Sequence, residues 1–433
     1  MLEYRVHTVR VGAEHPAWPE LDRMALAARR LRNAINYDRR QMFFADLEFN
    51  ENIDRKDRKT TAEWKALPSK VAREVSRGLD ADWRSVRVLR RTKGRRAQPP
   101  KYLQGRSRYQ LRFSIDALRA QPAKRGMLGV AGMKLDLCPL PVSWDRIKEV
   151  RILPSGREFD VEIVWVKTVA EPVESPDWSR VAGADLGIDN LITVACDDAA
   201  VRPLIVDGRS IKSRNRFANV RSDLYAALLP NLEGGTRQQR DSTRREALWR
   251  HRNSVVKAEL HTASKRVVDY CRAHHVTTLV IGWNPNWKTQ STTQSTMGRV
   301  GNRRFRSIPH RVLVNQITYK ARRYGITVLE TEESYTSKTS VLAGELPVKH
   351  HEYAAQRINR GRLKVLATGQ ILNADVNGAC QIARKCKPEA FSWANGVAGE
   401  VGLSRPLEVV TGGGRPGVRT HLGVKCIEGD TSS

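Results

Sequence analysis

The order of apolar and acidic blocks in residues 181–385 constrains this chain most. VAGADLGIDNLITVAC (181–196) is two short apolar runs joined by an acidic, glycine-containing turn, and the run ending in Asp207-Gly208 adds a third, so a strand meander is expected. A long helical pattern follows, with Val256, Leu260, Ala263, Val267 and Cys271 on one stripe, and then a fully apolar strand at 278–281. Pro309 precedes another helix, with Leu313, Ile317, Ala321 and Tyr324 in register, which leads into a strand at 326–333. Residues 373–385 close the series as a helix whose first turn carries Asp375. Helices next to a buried strand imply a mixed α/β layer with helices covering the sheet.

The first half reads differently. Residues 2–11 alternate charged and apolar side chains as a strand does. After Pro19, Leu21, Met24, Ala28, Leu31, Ile35 and Met42 recur at helical spacing, with Arg29, Arg30, Arg32, Arg39 and Arg40 mostly on other faces. A second helical stretch at 61–80 is broken by Pro68, so residues 14–82 form a helical insert in a β-rich unit. Phe159, Val161, Ile163 and Trp165 alternate with polar positions after the turn Pro154-Ser155-Gly156, a hairpin signature. Residues 171–179, with Pro172 and Pro176, read as a linker, and the Gly- and Val-rich tail 394–433 as loosely ordered.

Charge narrows the partners. Seventy-five Lys and Arg against 46 Asp and Glu give +29, with 28% charged and 40% hydrophobic residues. That is a foldable composition whose excess charge calls for a polyanion. The excess is zoned: residues 84–112 hold eleven Lys or Arg and no acid among Trp83, Tyr102, Tyr109 and Phe113. Six arginines lie in 237–252, and residues 285–329 carry nine Lys or Arg without a carboxylate. Positive charge beside aromatic rings suits phosphate neutralisation and base stacking. No run reaches the ~18 apolar residues of a membrane span, and a charged N-terminus argues against a signal peptide, so a cytoplasmic protein is expected. Six cysteines occur without a CxxC pair, which favours neither disulfides nor structural zinc.

The layout of the second half, a meander with an Asp in its first strand and a final helix opening with Asp, is that of an RNase H-like fold. Phosphodiester hydrolysis there uses two Mg²⁺ ions about 4 Å apart, held by three or four converging carboxylates. Asp185 and Asp375 are placed for two of them. Glu330, Glu332 and Glu333 are the acids available for a third; strand alternation separates Glu333 from the other two, so only one points at the metals.

GADLGIDNLITVA (183–195), YTSK (335–338) and NADVNGACQIARK (373–385) resemble the three RuvC-type blocks of transposon-encoded TnpB nucleases and the compact type V CRISPR effectors. KGRRAQPPKY (93–102) and LRNAINYDRRQ (31–41) resemble that family's wedge segment and the first helix of its recognition insert. The resemblance implies a multidomain α/β protein. Its parts would be a β-barrel-like wedge domain at 1–13 and 83–178, a helical recognition insert at 14–82, a RuvC-like nuclease domain at 179–393 and a C-terminal tail at 394–433. It implies a guide RNA and a double-stranded DNA target as partners, as a monomer or a dimer, and no membrane.

Two departures stand out. The strand LVIGWN (279–284) would ordinarily carry a catalytic Glu near Gly282, and no acid lies between Asp269 and Glu330. The chain is similar to the branch with a rearranged site, in which the Glu three residues before TSK substitutes, which selects Glu333 with Glu332 as fallback. The expected catalytic and metal-binding set is Asp185, Glu333 and Asp375. The zinc-knuckle cysteines expected after TSK are also missing; His350 and His351 are adjacent and poor ligands, so no structural zinc is expected. Nucleic-acid contacts are expected from Arg39, Arg40, Arg90, Arg91, Lys93, Arg95, Arg96, Lys101, Arg244, Arg245, Arg303, Arg304 and Lys338. The competing expectations are a cleavage-deficient guided repressor and a guide-independent resolvase.

Overall fold

A computed structural model describes residues 2–47, 56–93, 98–103, 105, 107–168, 175–227, 243–283, 307–359, 361–395, 403–404, 406–410 and 418–419. Arg95, Arg96, Arg303 and Arg304, and the side chain of Lys93, lie outside the described set. The chain divides into two units, Met1–Val169 and Ala170–Ser433.

In the first unit, β1 (Leu2–Val11), β2 (Leu111–Ser114), β3 (Ile147–Ser155) and β4 (Glu158–Thr168) form an antiparallel sheet in the order β1-β4-β3-β2. Helices α1 (Trp18–Phe44), α2 (Ala62–Lys65) and α3 (Ser69–Lys93) intervene between β1 and β2, and α4 (Ala120–Lys124) follows. Pro68 separates α2 from α3, as its missing N–H and fixed φ dictate. The alternating Phe159, Val161 and Ile163 of β4 share one core with Leu21, Leu31 and Ile35 of α1 and Leu79 and Trp83 of α3. Among the described residues β1 and β2 are the edges of this sheet.

The second unit is built on a seven-stranded mixed sheet. β5 (Val181–Leu186), β6 (Asn190–Cys196) and β7 (Leu204–Asp207) form the antiparallel meander; β8 (Thr278–Gly282) pairs parallel with β5, and β9 (Thr327–Thr331) parallel with β8. The tail contributes β13 (Leu407–Val410), parallel to β7, and β14 (Val418–Arg419), giving the order β14-β13-β7-β6-β5-β8-β9. Part of the segment expected to be loose therefore pairs with the sheet. A small separate sheet, β10 (Ala355–Asn359), β11 (Arg362–Val365) and β12 (Ile371–Asn373), lies between the TSK block and the last helix.

Alternation distributes the sheet between two cores. Ala182, Ala184, Leu186, Leu279 and Ile281 pack on α6 (Thr243–Ala273), preceded by α5 (Arg209–Ala227), and on α7 (His310–Arg322). Val181 and Val280 face the opposite way, onto α8 (Ala374–Cys386).

Candidate active site

Asp185 lies on the β5 face that packs against α8, in phase with Val181 and Gly183. Two glycines set how closely strand and helix approach. A Cβ at Gly183 would come within 1.9 Å of the Ala379 carbonyl oxygen, so only glycine lets α8 lie directly on the strand. On the helix side, a Cβ at Gly378 would meet Asp185 Oδ2 at 2.6 Å, so the space beside that glycine belongs to the carboxylate.

Asp375 is fixed by the start of α8. The Asn373 side chain caps the helix, accepting from the backbone N–H groups of Asp375 at 2.9 Å and Val376 at 3.2 Å. Asn190, at the start of β6, donates to Asp375 Oδ2 at 2.7 Å, and Arg357 of β10 stands 3.8 Å from Oδ1. Neither Asn190 nor Arg357 was identified from sequence. Asn190 belongs to the DLGIDN block, whereas Arg357 carries no local signal.

Glu333 enters from beyond the end of β9. A Cβ added at Gly282 would lie 2.4 Å from Glu333 Oε1 and 2.7 Å from its Cγ. The glutamate thus fills the space that a side chain at 282, the position lacking the expected acid, would occupy. Among the described residues its Oε1 is buried with no hydrogen-bond partner. Glu333 is held by its backbone, whose carbonyl accepts from Thr336 Oγ1 at 2.8 Å just past the left-handed Tyr335 (φ 67°). The neighbouring acids are engaged elsewhere: Glu332 pairs with Lys385 and accepts from the Ser334 N–H at 2.7 Å, and Glu330 pairs with Arg311 at 2.6 Å.

The YTSK loop is moored to α8 by one helical stripe. Buried Asn377 donates to the Thr339 carbonyl at 2.8 Å and accepts from the Val341 N–H at 3.0 Å. Gln381 and Arg384 donate to the Glu345 carbonyl, both at 2.9 Å.

The electrostatics bind the three carboxylates together. Burial, and then the charge of Asp375, push the Asp185 carboxyl well above the usual range, with Arg357 opposing. Burial and then Asp185 push Glu333 up likewise. Among the described residues no group of three or more His, Cys, Asp or Glu is placed to hold a metal ion as it stands. The arrangement is pairwise, with Asp185 close in charge to both other acids. An oxygen-only donor set with a buried, unpartnered carboxylate oxygen fits hard divalent cations such as Mg²⁺ and disfavours zinc.

The other expected residues scatter. Arg39 is 1% exposed and paired with buried Asp80 at 2.7 Å, so its assignment as a nucleic-acid contact is corrected: helix α3 covers the face on which it lies. Arg40 donates to the Pro100 carbonyl at 3.0 Å and stacks on Tyr102; Arg90 pairs with Asp46 at 2.7 Å. Arg91, Lys101, Arg244 and Lys338 are exposed, and Arg245 donates to Ser222 at 2.7 Å. His350 is bonded through Nε2 to the Leu346 carbonyl at 2.8 Å.

Two family models match, both mostly within the second unit. "Probable transposase" (OrfB_IS605) covers residues 164–288, with Asp185 and Gly282 inside it. "Cas12f1-like, TNB domain" covers residues 310–382, with Glu333, the YTSK loop and Asp375. No curated protein matches in sequence. Among solved structures, a Cas12f1–sgRNA–target DNA complex matches at 15% identity over 88% of this chain and 99% of that one, with a TM-score of 0.36. The mini-RNA-guided endonuclease CRISPR-Cas_phi3 matches at 10% identity over 93% of each chain, with a TM-score of 0.40. The chain is thus similar to a probable transposase over residues 164–288, which include Asp185, and to a Cas12f1-like TNB domain over residues 310–382, which include Glu333 and Asp375.

Proposed function

We propose that the chain is an RNA-guided DNA endonuclease with a single RuvC-like site of Asp185, Glu333 and Asp375 in an RNase H-like domain at 179–393. The observation that carries this reading is Glu333 lying over Gly282, beside Asp185, with one carboxylate oxygen buried and unpartnered. A burial that costs free energy without a hydrogen bond is expected where a ligand completes it. Guide RNA and double-stranded DNA are the proposed partners; the Cas12f1 relative was solved with an sgRNA and target DNA. In this reading residues 1–13 and 83–178 form the wedge, 14–82 the recognition insert and 394–433 the tail. Arg40, Arg90, Arg91, Lys101, Arg244, Arg245 and Lys338 are the proposed phosphate contacts. No helix of the described residues is long and apolar enough to cross a membrane, and a cytoplasmic site of action is proposed.

In the mechanism, Asp185, Glu333 and Asp375 would hold two Mg²⁺ ions, which supply activation of water and neutralisation of charge at the scissile phosphate. The protein's own part is positioning. Asn190 and the Asn373 cap fix the Asp375 carboxylate. The Asn377 mooring holds the loop that presents Glu333, and Gly378 keeps space open beside Asp185. Arg357, near Asp375, offers a positive group to a backbone phosphate.

The test is to sequence the RNA that co-purifies with the protein and to reconstitute the complex with Mg²⁺ on plasmid DNA bearing the matching target. Guide-dependent cleavage, lost in Asp185→Ala, is expected. Guide-specific retention without nicking would overturn the endonuclease in favour of a binding protein. Action on branched DNA without RNA would overturn the guided reading altogether.

A further inference from the structure

On the sheet face opposite α8, the helices α6 and α7 enclose an open cleft of about 680 Å³. Its lining is basic: Lys265, Arg266 and Arg272 from α6, Lys320 from α7 and Arg323 just beyond it, against the single carboxylate of Asp269. Asp269 is shared by Lys265, 2.5 Å from one oxygen, and Arg272, 3.9 Å from the other. The base of the cleft is built. Lys320 Nζ is held by the His261 carbonyl at 2.8 Å and by Ser264 Oγ at 2.6 Å, and buried Ser264 is braced by buried Gln316 at 3.2 Å. Two of the three ammonium protons are thereby committed, and one is left for a ligand. At the rim the Tyr324 ring, 51% exposed, is backed by the Arg272 guanidinium 4.0 Å from its centroid.

We propose that this cleft binds a strand of nucleic acid, with Lys320, Arg272 and Arg323 on successive phosphates and Tyr324 as a platform for one base. The geometry favours a strand over a single anion. Lys265 and Arg272 are two helical turns apart, about 10 Å along α6, and Lys320 lines the cleft from α7, so the basic lining is spread wider than one phosphate group. An exposed ring backed by arginine is a surface on which any base can stack. Burial, with Arg323 and Lys265 nearby, lowers the Lys320 ammonium to a pKa of about 8, a cost that a phosphate would relieve. The choice of nucleic acid as ligand rests on the proposed function; the existence of an anion-binding cleft does not.

The experiment uses the full chain carrying Asp185→Asn to prevent cleavage, and titrates labelled single-stranded RNA and single-stranded DNA across a salt series. Arg272→Ala/Arg323→Ala is expected to weaken binding roughly tenfold or more and to reduce the slope of log affinity against log salt by about 1.4, at about 0.7 per phosphate lost. Tyr324→Ala is expected to cost roughly five- to a hundredfold with the slope unchanged, and Tyr324→Trp to restore affinity. Loss confined to RNA would make the occupant the resident RNA; loss confined to DNA would make it the target. Unchanged affinity and slope in both variants, with wild-type melting, would overturn the cleft while leaving the proposed function intact. Displacement of the strand by inorganic phosphate alone would reduce the site to a simple anion pocket and also overturn it. Failure of the parent protein to bind either strand would instead sink the proposed function.

Discussion

Helix α8 covers one face of the second unit's sheet and the α6–α7 pair covers the other, yet the first face gathers acids and the second gathers bases. Each face carries charges of both signs; what differs is which sign is consumed internally. Near α8 the cations are spent: Lys385 pairs with Glu332, and Arg384 donates to the backbone carbonyls of Gly344 and Glu345. Burial and Asp375 raise the Asp185 pKa, burial and Asp185 raise that of Glu333, and Arg357 is the cation that opposes the rise at Asp185. Around α6 the acids are spent: Glu259 binds Arg214 at 2.8 Å and Ser210 at 2.6 Å, and Asp269 binds Lys265. Lys320 and Arg272 line the cleft, Arg272 sharing Asp269 with Lys265, so the bases there outnumber the acid that pairs with them. Net charge says that a polyanion binds; internal pairing says where.

The largest effect expected is on the acidic face. Asp375→Ala removes the acid held by Asn190 and Asn373 and should lower cleavage by about a thousandfold or more, equivalent to about 4 kcal/mol of transition-state stabilisation, with melting unchanged. A smaller loss comes from the space over β8. Gly282→Ala puts a Cβ 2.4 Å from Glu333 Oε1, so the carboxylate must move; overpacking of about 1–3 kcal/mol and a partial loss of cleavage are expected, read by melting and by rate.

How the two faces arise was only partly legible in the chain. Asp185 and Asp375 were identifiable because each acts within a local motif, a strand alternation and a helix cap, that needs no distant partner. Glu333 is selected by its spacing before TSK, as the resemblance implies; the strand alternation that would set its face does not reach it, because β9 ends at Thr331. The left-handed Tyr335 and the Thr336 hydrogen bond, not the strand, turn Glu333 inward. Helical periodicity assigns Arg39 a face but does not say that α3 covers that face. The strands β10 to β12 leave little trace in the sequence because AQRIN, RLKV and ILN are only three to five residues long, too short for a period to stand out. The basic cleft needs residues more than fifty positions apart, and no local pattern announces it.

Two further changes are smaller. Asn377→Ala leaves the Thr339 carbonyl and the Val341 N–H without their partner in a buried site, which should destabilise the fold by about 1–3 kcal/mol and loosen the loop that presents Glu333. The smallest effect is on the basic face. Lys320, facing His261, Lys265, Asp269 and Arg323, has its pKa lowered from 10.5 to about 8. Between those values the unfolded chain retains a proton that the folded chain has lost, so stability should rise slightly as pH increases from about 8 to 10.5. The amine is only half buried and solvent screens it, so the rise should be slight, and it should vanish in Lys320→Met.

The measurement that bears most directly on the active-site account is the cleavage rate of Glu333→Gln beside that of Glu332→Gln, both in the reconstituted complex on the same DNA. The account predicts that Glu333→Gln loses about a thousandfold, while Glu332→Gln, whose parent carboxylate is paired with Lys385, stays close to wild type. Normal cutting by Glu333→Gln with loss in Glu332→Gln would contradict it.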